Sequence, residues 1–270
     1  MELMDEKLKN TLRSLADKYE CADFLKNDPS QFMHRYEKIT DIEVSAFIAA
    51  NLAFGRRSQI LSHVESVLAA AGKSPAEWIL SGSYNDFFPE SDGSFYRMYS
   101  FNAMRLFCSV LKQILEQAET LGDYFKKKWQ EAELADSSGF YRSASTGHIY
   151  LAPVIASSFP MECNLIPHSM DSAAKKLNML LRWLVRSSSP VDVGIWTWYK
   201  TEDLLMPLDT HVVQEATRFG LLPAGKGGKP KSAGFKSAVL LTEQMTEVFG
   251  KDPVRGDFAL FGLGVDKDAN

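Results

Sequence analysis

Apolar residues return every three or four positions from one end of this chain to the other, the period of a helix with one buried face. Leu8, Leu12, Leu15 and Tyr19 form one such face. Ile60, Leu61, Val64, Val67 and Leu68 form another, stopped at Gly72, and Leu106, Phe107, Val110, Leu111, Ile114 and Leu115 a third. Strand-like alternation is scarce; Asp192 to Trp198 is the one short run that shows it, and it reads as loop. The pattern predicts an all-α chain of about ten helices. Thr40-Asp41-Ile42-Glu43 reads as a capping box opening a helix through Val44, Phe47, Ile48, Asn51 and Leu52. Ser74-Pro75-Ala76-Glu77 combines a cap, a first-position proline and a third-position glutamate ahead of Trp78 and Ile79. Later helices are expected over 148–158, 172–186, 210–219, 234–249 and 253–263, with loops at Ser187–Pro190 and Gly225–Lys231. Neither an internal repeat nor a flexible linker interrupts this order, so two lobes would have to share an interface.

Composition removes several classes of protein. With 270 residues, 45% hydrophobic and 24% charged, the chain matches ordinary globular proteins and can bury a full core. No stretch approaches the roughly 18 apolar residues of a membrane span. The acidic opening Met1-Glu2-Leu3-Met4-Asp5-Glu6 is unlike a secretory signal, so the expected location is cytoplasmic. Cys21, Cys108 and Cys163 lie far apart, and the five histidines form no closely spaced pair. Neither a metal site nor a cofactor is expected. Gly225-Lys226-Gly227-Gly228-Lys229 lacks the spacing of a phosphate loop, and Gly262-Leu263-Gly264 lacks that of a dinucleotide site. The net charge of −4 argues against a general nucleic-acid binder, yet residues 139–200 carry six basic and three acidic groups, a modest basic surface.

Two segments carry chemistry. In the helix expected after Asp171 or Ser172, Lys175 falls in the first turn, where the helix dipole disfavours an ammonium, and Lys176 adds a like charge beside it. Both effects lower an amine's pKa and make it a better nucleophile. A pair of solvated surface lysines is the plainer reading of the same residues. In the second segment Asp209 stands at the N-cap position of a helix that Gly220 closes, with Val212, Val213, Ala216 and Phe219 facing inward. Alone, Asp209 is a good cap.

Together these segments resemble the helix-hairpin-helix DNA glycosylase and abasic-site lyase superfamily, which includes endonuclease III and the 8-oxoguanine glycosylases. The resemblance lies in Leu208-Asp209-Thr210-His211-Val212 with Arg218-Phe219-Gly220-Leu221, and in Lys175-Lys176-Leu177-Asn178, which looks most like the archaeal 8-oxoguanine branch. The run from Lys175 through Asp257-Phe258-Ala259-Leu260-Phe261-Gly262, with Asp41-Ile42-Glu43 and Phe54-Gly55-Arg56-Arg57, is similar to an uncharacterised bacterial family placed near these enzymes. The usual L-P-G-V-G hairpin is absent; Ile166-Pro167-His168-Ser169-Met170-Asp171 stands in its place, and the four-cysteine cluster of endonuclease III is missing.

The resemblance implies an all-α, two-lobed glycosylase-like fold. A helical-barrel lobe with the hairpin helix would span 40–190, and residues 1–39 plus 191–270 would form the second lobe packed against it. It implies Lys175 as a nucleophile that forms a Schiff base, Asp209 as its electrostatic and acid–base partner, and Arg56, Arg57 and Lys176 as contacts to DNA phosphates. The partner would be double-stranded DNA bearing a damaged base or an abasic site. The alternative is a non-catalytic helical module that binds DNA or protein and keeps only the fold. A positive cleft around Lys175 separates the two, favouring the enzyme.

Overall fold

The computed structural model describes residues 4–135, 140–143, 146–169, 171–229, 231 and 234–268. Among these, twelve α-helices and one short hairpin follow in order: α1 (Glu6–Tyr19), α2 (Ile39–Leu52), α3 (Arg57–Ala71), α4 (Pro75–Ser81), α5 (Tyr84–Phe87), then β1 (Ser94–Tyr96) and β2 (Tyr99–Ser100). Next come α6 (Phe101–Leu115), α7 (Leu121–Leu134), α8 (Leu151–Ser157), α9 (Lys175–Val185), α10 (Thr210–Arg218), α11 (Phe235–Phe249) and α12 (Gly256–Asp268). The mostly helical architecture is the one the apolar period predicts. The hairpin is new; strands of three and two residues are too short to print an alternating pattern.

At the centre lies α2, mostly apolar and buried around its whole circumference from Asp41 to Leu52. A helix of that kind belongs inside a protein rather than on its face. It packs against α9, α3, α4, α7 and the 3₁₀ turn Pro29–Arg35. The expected capping box does not form. α2 begins two residues earlier, after Lys38, and its acids serve other helices. Asp41 Oδ1 accepts from Ser74 Oγ at 2.8 Å and from the Ala76 amide at 2.9 Å, at the start of α4. Glu43 accepts from the Leu121 and Gly122 amides at 2.8 and 2.9 Å, at the start of α7, and from Trp196 Nε1 at 2.7 Å. First-turn amides have no partner within their own helix, so a buried carboxylate from a neighbour can satisfy them. Gly122 makes the approach possible: a Cβ there would sit 2.6 Å from Trp196 Nε1 and 2.8 Å from Glu43 Oε1.

The loop reading of Asp192–Trp198 holds, and its amides explain it. Val193 and Gly194 donate to the Trp183 carbonyl and Trp196 to that of Leu184, closing the C-terminal end of α9. The chain's two ends meet: α1 packs on α12 and α11, and α10 on α12. Buried residues from Leu12 to Leu260 form one contiguous apolar core. Helix bounds shift modestly from expectation. α9 starts at Lys175 rather than 172, and the last expected helix divides into a 3₁₀ turn at Pro253–Arg255 followed by α12. No helix of the described residues is long and apolar enough to cross a membrane.

Burial pushes the Glu43 carboxyl up from 4.5 to about 7, against the pull of its three N–H donors. The folded state therefore binds that proton more tightly than the unfolded chain. Its contribution to stability is fully present below about 4.5 and is lost as pH rises through about 7. Glu43→Gln presents an amide N–H to a group that already donates and should lower stability by about 1–3 kcal/mol. It should also flatten the decline across that pH window. Urea melts of both proteins between acid and neutral pH check this; parallel curves of equal midpoint would refute it.

Candidate active site

The five residues singled out in the sequence line one cleft of about 1360 Å³. Arg56 and Arg57 enter from the start of α3, Lys175 and Lys176 from the start of α9, and Asp209 from the start of α10. That volume exceeds the roughly 300–1,000 Å³ of a typical small-ligand pocket.

Lys175 lies in the first turn of α9, as the sequence placed it, but as its first residue, and neither Asp171 nor Ser172 is the cap. Ala174 occupies that position with φ +44, a left-handed conformation for a residue with a Cβ. The turn is tied from both sides: Ser172 Oγ accepts from the Ala174 amide at 3.1 Å, and Asn178 Nδ2 donates to the Ala173 carbonyl at 2.8 Å. Asn178 is buried and thus fixes the backbone from which Lys175 emerges. Among the described residues no hydrogen bond or ion pair engages the half-buried Lys175 amine. Of the stretch standing in for the hairpin, Pro167 lines the cleft, while Met170 lies outside the described residues.

Lys176 departs from the expected phosphate contact. Its amine is turned toward the protein, donating to Tyr99 Oη at 2.8 Å and to the Leu165 carbonyl. Burial, with the like charge of Lys175 adding to it, lowers this amine to about 8. Asp209 is the N-cap of α10, accepting from the Val212 amide at 2.9 Å.

The sequence reading missed Asp257, on the first turn of α12. It lines the same cleft, is 6% exposed, and pairs with Arg182 of α9. Burial pushes its carboxyl up to about 7; Arg182 and Lys175 oppose the rise, while Asp209 adds to it. The cleft thus combines an unpaired amine, a capping carboxylate and a buried acid that titrates near neutrality. These groups can serve as nucleophile, cation stabiliser and proton carrier.

The cleft lining also holds strained backbone. Among the described residues only Arg97 and Ala174 have positive φ without being glycine, and both line this cleft. Such residues cost of order 1–3 kcal/mol each and cluster at functional sites. Arg97 stands in the β1–β2 turn with its guanidinium 4.8 Å over the Phe54 ring. Gly55 (φ +116) runs beside it, where a Cβ would lie 2.8 Å from Arg97 Nη1 and 2.9 Å from Tyr96 Oη. The loop at 225–231 supplies Lys229 and Lys231 to the rim. Among the described residues, eight lysines and arginines line the cleft against three carboxylates, those of Asp28, Asp209 and Asp257. In a chain of net charge −4 that is a local reversal of sign. Among the described residues no group of three or more His, Cys, Asp or Glu is placed to hold a metal ion.

Fold and cleft define a mostly helical protein with a basic, amine-bearing cleft between its helices. Residues 28–266 match the family described as "Protein of unknown function (DUF2400)", and the chain belongs to that family. No curated protein and no solved structure matches it.

Arg182 joins the cleft to the interior, pairing with Asp192 at 3.2 Å as well as with Asp257. Arg182→Met should destabilise the protein by about 3–5 kcal/mol, because the carboxylates lose a buried cation. Chemical denaturation measures the loss; a change under about 1 kcal/mol would mean that the pair contributes no more than a surface one.

Proposed function

We propose that this protein is a DNA glycosylase with abasic-site lyase activity, built on the two-lobed helix-hairpin-helix plan. The observation that carries the reading is the unpaired Lys175 amine at a strained helix start, in a basic cleft it shares with Asp209. A positive cleft is what an enzyme acting on DNA requires, and an acidic or closed surface would have favoured the non-catalytic module.

In this reading a damaged nucleotide turns out of the duplex into the cleft, with a penalty of a few kcal/mol that a lesion reduces. The neutral Lys175 amine attacks C1′, the bond from C1′ to the base breaks, and the base leaves with the electron pair and takes up a proton. Loss of a proton from nitrogen and opening of the sugar ring give a Schiff base between Lys175 and C1′. Removal of a proton from C2′ then expels the 3′ phosphate and cuts the strand. The Asp209 carboxylate stabilises positive charge developing on the sugar and assists deprotonation of the amine. Arg56 and Arg57 contact backbone phosphates at the cleft mouth.

Borohydride should trap a covalent adduct between the protein and a duplex carrying an abasic site or a single lesion, and Lys175→Gln should abolish it. Trapping that persists in Lys175→Gln would remove this lysine from the chemistry. Asp209→Asn keeps a good cap, so its melting temperature should match wild type. Loss of the charge should slow single-turnover cleavage by roughly two orders of magnitude, about 3 kcal/mol of transition-state stabilisation. Equal rates with equal melts would leave Asp209 as a cap alone and favour the non-catalytic module.

A further inference from the structure

The departing base takes up a proton as its bond to C1′ breaks. At that moment the attacking Lys175 amine is neutral and Asp209 is a carboxylate, so neither brings a proton to give. Tyr99 and Lys176 line the same cleft and are joined there. Tyr99, on β2, is 3% exposed, and its Oη accepts from Lys176 Nζ at 2.8 Å. Among the described residues no acceptor takes the hydrogen of that hydroxyl. The Lys176 amine also donates to the Leu165 carbonyl, and among the described residues no carboxylate pairs with it. An ammonium drawn out of water beside neutral oxygens alone is held at a cost that losing a proton removes. Burial moves the two groups in opposite directions, Lys176 down to about 8 and Tyr99 up to about 12. The groups that act on the pair are Lys175 on α9, Cys163 ahead of it and Tyr96 on β1, with Cys108 of α6 beyond Cys163. Asp257, the other acid of the cleft, is tied to Arg182, and a proton added there breaks that pair.

We propose that Tyr99 protonates the departing base and that Lys176 replaces the proton Tyr99 gives up. The proposal rests on the reading of the cleft as a glycosylase site. As the bond from C1′ to the base breaks, its electron pair stays with the base. The Tyr99 O–H bond breaks and an N–H bond forms on the base. In the same movement the Lys176 N–H aimed at Tyr99 Oη passes its proton across, which restores the phenol and leaves a neutral amine. Water returns a proton to that amine once the base has gone. A phenol alone, at about 12, is a weak acid for this task. The relay discharges the amine instead, whose pKa of about 8 lies close to where an acid works best near neutrality. No phenolate is left in a buried place. The class of substrate this acid serves is a base that leaves as an anion.

The test measures base release from duplexes carrying one 8-oxoguanine, hypoxanthine or dihydrothymine. It also measures strand cleavage at a preformed abasic site, which has no base left to protonate. Both are followed under single-turnover conditions in wild type, Tyr99→Phe, Lys176→Met and Lys176→Arg. Tyr99→Phe should slow base release by roughly a hundredfold and leave abasic cleavage within about twofold. Lys176→Met should slow base release about tenfold or more, and Lys176→Arg should not rescue it, because a guanidinium keeps its proton. Both steps share Lys175, so their ratio cancels its titration. In wild type the ratio of base release to abasic cleavage should fall as pH rises through about 8 and Lys176 loses its proton. In Lys176→Met it should stay level. Base release at the wild-type rate in Tyr99→Phe, equal slowing of both steps, or rescue by Lys176→Arg would overturn the proposal and leave the lyase reading standing. Loss of borohydride trapping in Lys176→Met would overturn it too, by making Lys176 the nucleophile. If wild type cleaves abasic sites but releases none of the three bases, the relay falls and the lyase stands; if it does neither, both fall. Thermal melts show that each variant is folded.

Discussion

The fold depends on two arginines buried on one side of α9. Arg182 and Arg186, each 2% exposed, share Asp192, which is itself 4% exposed. Arg186 also reaches Glu20 at the end of α1 and Asp252 before the turn at 253–255, and Arg255 returns to Glu20 and Asp17. Charges removed from water stabilise a fold only when fully paired, and taking away one partner costs more than the pair contributes. The network therefore acts as a positional constraint. It fixes both ends of the chain to α9, the helix that opens with Lys175. The carboxylates are not equally served. Burial works against charge on Glu20, yet Arg186 and Arg255 hold it below its ordinary range. Asp257 has only a share of Arg182, feels Asp209 nearby, and is pushed up to about 7 by burial. The member of the network that faces the cleft is thus one whose protonation state changes near neutrality.

Much of the helical scaffold was legible because it is local. The period of Leu8 to Tyr19, the stop at Gly72, the cap at Ser74 and the cap at Asp209 rest on residues within one or two turns of each other. What could not be read depends on contacts between distant segments. Thr40 and Glu43 have the spacing of a capping box, but Asp41 and Glu43 bind amides 35 and 78 residues away. Asp257 looks like an ordinary first-turn acid until α12 is packed against α9. Lys229 and Lys231 lie in a loop that reads as solvated surface, and only its position beside the cleft gives them a role. Arg97 and Ala174 leave no sequence signal, since nothing in a residue's neighbours announces that its φ is positive. Of the site, the sequence could place the lysine and the cap on helix starts; that they share one cleft required the fold.

An acidic chain can still present a basic cleft, and distance is the reason. At physiological ionic strength, fields from exposed charges fade over roughly 8 Å, so the net charge of −4, spread over the whole surface, has little reach. At contact distance the charges of the cleft lining dominate the field there. Arg182 is neutralised by its carboxylates and Lys176 is held by Tyr99 and the Leu165 carbonyl. Arg56, Arg57, Arg97, Lys175, Lys229 and Lys231 remain, brought by four separate segments of the chain. Of those segments only 225–231 is strongly basic by itself, with three lysines and no acid, so the composition of the whole chain hides the site. The same arrangement accounts for the strain. Arg97 and Lys175 emerge from or directly after the two non-glycine residues held at positive φ among the described residues. A relaxed backbone at either place would re-aim a cation, and the contacts of Phe54, Tyr96, Ser172 and Asn178 oppose that relaxation.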